Sequence, residues 1–348
     1  MRGLWIEHAI VCALLGLVVY SQVCILNGEK RVLDMQIETS KAMRALVLGE
    51  VDTLHAVRRA AGAEKLTKAW APFPPPQHPQ AVDCNDVPIA TPIRAFGMAS
   101  LGPKYMVSYS WWDLRGSPHQ KTYEQMRTGG ANDSVELVQK LILASPPGAA
   151  FLDVGANVGF MTFFAPATGR PVYAFDPISY DVSKLCEGVL VNLAARTLDV
   201  PQSALVSIFH AAVGPAPRKG IEITRPADRV GFFDQASLSP RAVLVAQDQK
   251  TTERVDMLAL DHVVPEDAPV GVVKIDVQGH EEGVLVGMAG ILARRAGYPT
   301  AVVFEEDHDL TTRAGWTPGN CRRILTTAGY LCKRAGGDTV CTKAAPTG

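Results

Sequence analysis

Several signatures that would settle the chemistry are missing from this sequence. No block of Lys and Arg stands out in its 348 residues, and a net charge of -1 provides no electrostatic footprint for a nucleic-acid backbone. No C-x-x-C pair occurs among the seven cysteines, and the gaps between Cys321, Cys332 and Cys341 suit no zinc ligand set. An H-E-x-x-H run, the mark of a metalloprotease helix, is absent. The glycine loop after the first clear strand is not a complete G-x-G-x-x-G, which weakens a dinucleotide reading. These absences leave a small molecule or a glycan as the better-fitting substrate, and 47% hydrophobic residues suffice for a sizeable core.

The glycine loop itself lies in Phe151-Leu152-Asp153-Val154-Gly155-Ala156-Asn157-Val158-Gly159-Phe160. An apolar run closed by an acid predicts a strand, then a tight turn, then a helix whose first N–H groups are open to a ligand. Asn157 and Phe160 stand where the dinucleotide pattern needs glycine, so close approach of a pyrophosphate is poorly served. A second apolar run, Pro171 to Phe175, closes on Asp176, an acid placed to accept both hydroxyls of a ribose. Ribose without pyrophosphate is the demand of S-adenosylmethionine.

Further strands are expected over Ala204 to Ala212, Val270 to Asp276 and Thr300 to Glu305, with helices over Ser134 to Ile142, Val182 to Leu198 and Glu281 to Arg295. Strands alternating with helices predict a doubly wound parallel sheet of Rossmann-like type. Pro215 to Thr252 is read as an irregular or antiparallel insertion, part of a substrate lid. Asp153, Asp176, Asp276 and Glu305 each end a predicted strand and therefore share one rim, where ligands bind in such sheets. Singly, each such acid is more often a helix cap or a solvated loop carboxylate.

Methyl transfer to oxygen needs an aligned hydroxyl and a base to take its proton. Asp276 and His280 are the candidates, with His280 equally suited to holding Asp276. Glu281 suits the dipole of the helix it opens, a structural alternative to a catalytic role, and Glu305 completes the catalytic set. A divalent metal held by Asp276, His280, Glu305, Glu306 and His308 is the competing arrangement; the preferred reading has no metal.

Outside this region, residues 1–8 form a short tail and 9–26 an uncharged apolar segment near the lower limit for a membrane span. A signal anchor is preferred over a cleavable signal peptide, because the run continues past Val19-Tyr20-Ser21. Residues 27–71 read as a helical stem, with dimerisation through it left open, and 72–80 as a proline-rich linker. Residues 81–133 are expected to cap the site, and 311–348 form a cysteine-containing extension in which one local disulfide or reduced buried thiols are both consistent. The positive-inside rule favours a cytosolic domain. The sequon Asn132-Asp133-Ser134 and the five cysteines beyond the span favour a lumenal one, which is the preferred expectation: a single-pass protein of the secretory pathway, in the Golgi.

The runs Asp153 to Phe160, Val172 to Pro177 and Val273 to Glu281 resemble the FkbM-type S-adenosylmethionine-dependent methyltransferases over about residues 134 to 310. The resemblance implies a class I methyltransferase fold and methylation of hydroxyl groups, commonly on sugars or polyketide-type products. It implies that Asp153, Gly155, Asn157, Gly159 and Asp176 hold the cofactor, joined by Asn192 and Ala212, and that Asp276 and Glu281 shape the reaction centre. Asp176 stands where the family usually has glutamate, as does Gln278, which bears on any charge-dependent role there. The resulting expectation is an O-methyltransferase acting on a sugar or glycan hydroxyl. The alternatives are a lipid or small metabolite as acceptor at the membrane, or a tethered scaffold without turnover.

Overall fold

The computed structural model describes residues 78–88, 94–98, 101–109, 133–198, 200–227 and 236–343. The expected membrane segment, the stem, most of the proline-rich linker and the sequon residue Asn132 lie outside the described residues. The chain divides into two units, Met1–Ala71 with Ala90–Arg94 and Pro72–Ile89 with Ala95–Gly348; every strand of the large sheet belongs to the second.

Two short strands, β1 (Arg94–Gly97) and β2 (Met106–Tyr109), form a sheet of their own. Then follow α1 (Asp133–Ala144), β3 (Ala150–Val154), α2 (Phe164–Ala167), β4 (Val172–Asp176), α3 (Ser179–Ala194), α4 (Val200–Ser203) and β5 (Val206–Val213). The remainder comprises β6 (Arg218–Pro226), β7 (Lys250–Leu258), β8 (Val270–Ile275), α5 (Glu281–Val286), α6 (Ala289–Leu292), β9 (Ala301–Glu305), α7 (His308–Arg313), α8 (Asn320–Thr327), β10 (Leu331–Ala335) and β11 (Asp338–Thr342). The large sheet runs β10-β11-β9-β8-β3-β4-β5-β7-β6.

Neighbours from β9 through β7 pair in parallel, whereas β6 and β11 are antiparallel to theirs. The sheet is therefore mixed rather than purely parallel. β3 is buried along its whole length and β8 nearly so, as expected for strands covered on both faces. From β3 the chain proceeds through β4 to β5 on one side and later returns to β8 on the other. That reversal opens a crevice at the carboxyl ends of β3 and β8, where the rim acids stand.

The core joins Leu152, Val154, Phe175, Phe209, Ile275 and Phe304 of the sheet to Leu285 and Leu325 of the helices and to Met288 between α5 and α6. Each such fully buried side chain contributes about 1.5–3 kcal/mol through apolar burial. Phe175 and Phe209 stack with centroids 4.6 Å apart, tying β4 to β5.

Three local expectations are corrected. The helix expected over Glu281 to Arg295 is two helices, because the chain turns at Gly287–Met288, where Gly287 sits against the carbonyl of Gly214 with no room for a side chain. The helix expected directly after the glycine loop begins only at Phe164 and is one turn long; residues 157–163 form turns, and Pro166 lacks the N–H that would extend it. The Pro215 to Thr252 stretch is antiparallel in β6, as expected, but it contributes β6 and the start of β7 to the sheet edge itself and is not an insertion outside the sheet; the C-terminal residues contribute β10 and β11 to the opposite edge.

Two disulfides fasten the periphery. Cys84–Cys186 ties the segment before the sheets to α3, and Cys332–Cys341 joins directly paired residues of β10 and β11. Cys321 is buried and in no disulfide among the described residues. The Cys84 segment is also anchored by Val82, whose N–H donates to the Ile208 carbonyl at 2.7 Å.

Candidate active site

The loop after β3 is knitted to both neighbouring strands. The amides of Gly155 and Ala156 donate to the Phe175 carbonyl at 3.0 Å each, and the Asp276 amide donates to Val154 at 2.9 Å. Gly155 has φ 78° and Gly159 φ 94°, a region open to glycine, while Asn157 at φ 50° is one of the few side chains that tolerate it. A side chain on Gly155 would overlap the Asp276 backbone, so the loop and the end of β8 close on each other without side chains between them.

Asp153 is buried at the end of β3. Its Oδ2 accepts the Thr162 hydroxyl at 2.7 Å, and its Oδ1 has no hydrogen-bond partner among the described residues, with the Lys274 ammonium 3.6 Å away. Burial pushes the Asp153 carboxyl up, opposed by Lys274 and Thr162. Lys274 also donates to the Gly155 carbonyl at 2.5 Å and faces Asp276 Oδ2 at 3.5 Å. Burial pulls its ammonium down, but Asp276, Asp153 and Asp176 more than offset this, and it stays above its ordinary value.

Asp176 accepts the Asn157 amide on Oδ2 at 2.8 Å and the Ile178 amide on Oδ1 at 2.9 Å. Burial holds it up at about 6 despite those bonds. Across the cavity, the Gln278 side-chain nitrogen donates to Asp276 Oδ1 and Glu305 Oε2, each at 3.0 Å. Glu305 is pushed up to about 8 by burial first, then by the charges of Asp276, Glu281, Asp307 and Asp338. Asp338 is the direct cross-strand partner of Glu305 and accepts the Ser134 hydroxyl at 2.7 Å.

One cavity of 540 Å³ is lined by Asp153, Gly155, Asn157, Asp176, Ala212, Asp276, His280 and Glu305. Of the residues expected in the site, three stand elsewhere. Gly159 packs against Phe163 and Leu185. The Asn192 side chain is spent on α3 and β2, accepting the Met106 amide at 2.8 Å and donating to the Met106 and Gly188 carbonyls at 2.7 Å each. Glu281 turns away to accept the amides of Val277 at 3.3 Å and Gly279 at 3.0 Å, fixing the turn that carries Gln278; burial pushes its carboxyl up to about 7.

His280 is held down at about 4 by burial, so its ring is neutral at neutral pH. The ring lies edge-on to Trp316, and no hydrogen bond among the described residues links it to Asp276; Gln278 does that instead. The five residues weighed as metal ligands do not converge. Glu306 is engaged by Arg322, Arg334 and Thr339, and His308 is 3.9 Å from Glu306. Lys274, Gln278 and Asp338 were not among the expected site residues. Lys274 could have been found as the one cation inside the apolar run of β8, whereas Asp338 carried no signal, since its strand was not legible.

The lining fits S-adenosylmethionine: Asp153 adds a buried carboxyl group, ion-paired with Lys274, beside which a cationic group can sit, Gly155 leaves backbone only, and Asp176 stands beside the apolar Ile178 and Ala212, which suit a nucleoside.

The family described as "Methyltransferase FkbM domain" matches residues 153–332. No curated protein matches the sequence. Among solved structures, the chain is similar to the 16S rRNA N2 G1207 methyltransferase RsmC of T. Thermophilus in complex with AdoMet and guanosine, at 13% identity and TM-score 0.35, covering 74% of this chain and 52% of that one. It is also similar to a TehB-like SAM-dependent methyltransferase from Corynebacterium glutamicum, at 11% identity and TM-score 0.30, covering 65% of this chain and 96% of that one. The chain thus spans about half the length of RsmC.

Proposed function

Because the chain belongs to the FkbM methyltransferase family and is an S-adenosylmethionine-dependent methyltransferase, we propose that it methylates a hydroxyl group of a sugar or glycan. The observation that carries this reading is Asp276: its side chain is 43% exposed at the cavity, beside the Lys274 ammonium and the Gln278 amide. Asp153, Gly155, Asn157, Asp176 and Ala212 would hold the cofactor, which when bound supplies a methyl group on a positively charged sulfur. Asp276 receives the proton of the acceptor hydroxyl as the new bond to oxygen forms, and Lys274 compensates the charge on Asp276 before that transfer. Gln278 orients the carboxylate.

The enzyme is proposed to be tethered by residues 9–26 with its catalytic unit in the lumen of the secretory pathway. Two disulfides support that side of the membrane, since they persist in oxidising compartments.

A second reading, a lipid acceptor, draws on Leu238, Ala242 and the exposed Leu244, which line the same cavity. Incubation with labelled S-adenosylmethionine and separate panels of glycosides and hydroxylated lipids distinguishes the two. Label in the glycoside products is expected. Label confined to lipids would replace the leading reading, and failure of the folded protein to bind S-adenosylmethionine would end both.

A further inference from the structure

Resting on the hydroxyl-methylation reading, we propose that the acceptor half of the cavity recognises two neighbouring hydroxyl groups of a neutral sugar, with Gln278 as the positioning residue that sets Asp276 and Glu305 against them. Gln278 stands in the left-handed region at φ 53°, which non-glycine residues seldom occupy. Its turn is pinned from both sides: its carbonyl accepts the Ser237 hydroxyl at 3.0 Å, and the following amide of Gly279 donates to Glu281 at 3.0 Å. A turn held in this backbone region by two anchors fixes where the Gln278 side chain stands at the cavity it lines.

An amide nitrogen has two hydrogens, and Gln278 uses them on two different carboxyl groups. One oxygen of Asp276 and one of Glu305 are thereby engaged. The other oxygen of each remains for a ligand, with Asp276 Oδ2 also facing Lys274. Two carboxyl groups splayed by a single nitrogen match a pair of adjacent hydroxyls. The reacting hydroxyl gives its proton to Asp276, and its neighbour pairs with Glu305.

Glu305 is pushed up to about 8 by burial and the surrounding carboxylates, so at neutral pH it carries a proton and donates to that neighbour. An acceptor with a lone hydroxyl leaves Glu305 without a partner, a loss that sites built for a hydroxyl penalise strongly. Asp338, opposite Glu305 and lining the same cavity, adds a further carboxyl group, which disfavours anionic sugars.

The test measures methyl transfer by the full chain from labelled S-adenosylmethionine to methyl α-mannopyranoside and to each of its monodeoxy analogues. Removal of the neighbouring hydroxyl is expected to lower kcat/KM at least about tenfold. In Gln278→Ala and Gln278→Asn the ratio of parent to deoxy acceptor should fall toward one. Each ratio is taken within one variant, so partial loss of folded protein cancels. Equal kcat/KM for parent and analogues would overturn the inference while the hydroxyl-methylation reading stands, and an unchanged ratio in both Gln278 variants would remove Gln278 from the positioning role. If no glycoside is methylated, calorimetric titration of the same sugars into protein loaded with S-adenosylhomocysteine decides. Preference for the parent upholds the inference against the wider reading, and equal or absent binding overturns it.

Discussion

The carbonyl oxygen of Asp276 occupies the space that a side chain on Gly155 would need. This contact joins the loop after β3 to the turn after β8, so the two halves of the cavity are set by one backbone approach. Gly155 also has φ 78°, so any other residue there meets both strain and overlap. Gly155→Ala should destabilise the protein by about 3 kcal/mol or more and lose S-adenosylmethionine binding. Chemical denaturation and calorimetric titration check this, and a normally stable variant that binds the cofactor would contradict it.

Asp276→Asn keeps the shape and the hydrogen bond from Gln278 but removes the proton acceptor. Methyl transfer should fall by about a hundredfold or more, with S-adenosylmethionine binding retained. Single-turnover rates beside equilibrium binding measure the two separately. Full activity in this variant would exclude Asp276 as the base.

Above the ordinary histidine range, where His280 is neutral folded or unfolded, stability should decline as pH rises. Glu305 is held up at about 8 and Glu281 at about 7, whereas both have an ordinary value of 4.5. Between those limits the folded protein keeps protons that the unfolded chain has lost, so the unfolded state gains on deprotonation. The stabilisation is complete below the ordinary carboxylate range and is lost as pH passes through about 8. Thermal unfolding scanned from neutral to mildly alkaline pH should show a falling Tm, and Glu305→Gln should flatten the upper part of that fall. A Tm rising through the same window in the wild type would refute the assignment.

The Cys84–Cys186 bridge closes a sequence separation of 102 residues and fastens the leading segment to α3. A non-reduced proteolytic digest should yield the Cys84 and Cys186 peptides joined. Replacing both cysteines by serine should lower stability by about 2–4 kcal/mol, read from denaturant midpoints. Separate peptides in a digest of the oxidised protein would count against the bridge.

Much of the catalytic unit was legible in the chain, for physical reasons. A strand buried on both faces must be a continuous apolar run, so β3, β4, β8 and β9 announced themselves, and an acid closing such a run must stand at the carboxyl rim. The positions of Asp153, Asp176, Asp276 and Glu305 followed from that alone. Local sequence could not say which polar groups would be consumed. Asn192 turned to bond β2, and Glu281 folded back onto its own turn, because the nearest unpaired amides lay there.

The sequence by itself determined the alternating strands and helices, the sharp glycine loop and the acids at the strand ends, all set by periodicity and by side chains a few residues apart. Tertiary structure alone decided the pairing of Asp338 with Glu305, the bridge from Gln278 to two carboxyl groups and the approach of Gly155 to Asp276. The first, the third and the Glu305 arm of the second unite residues from separate strands and loops, and a contact between them exists only once the sheet order has been chosen.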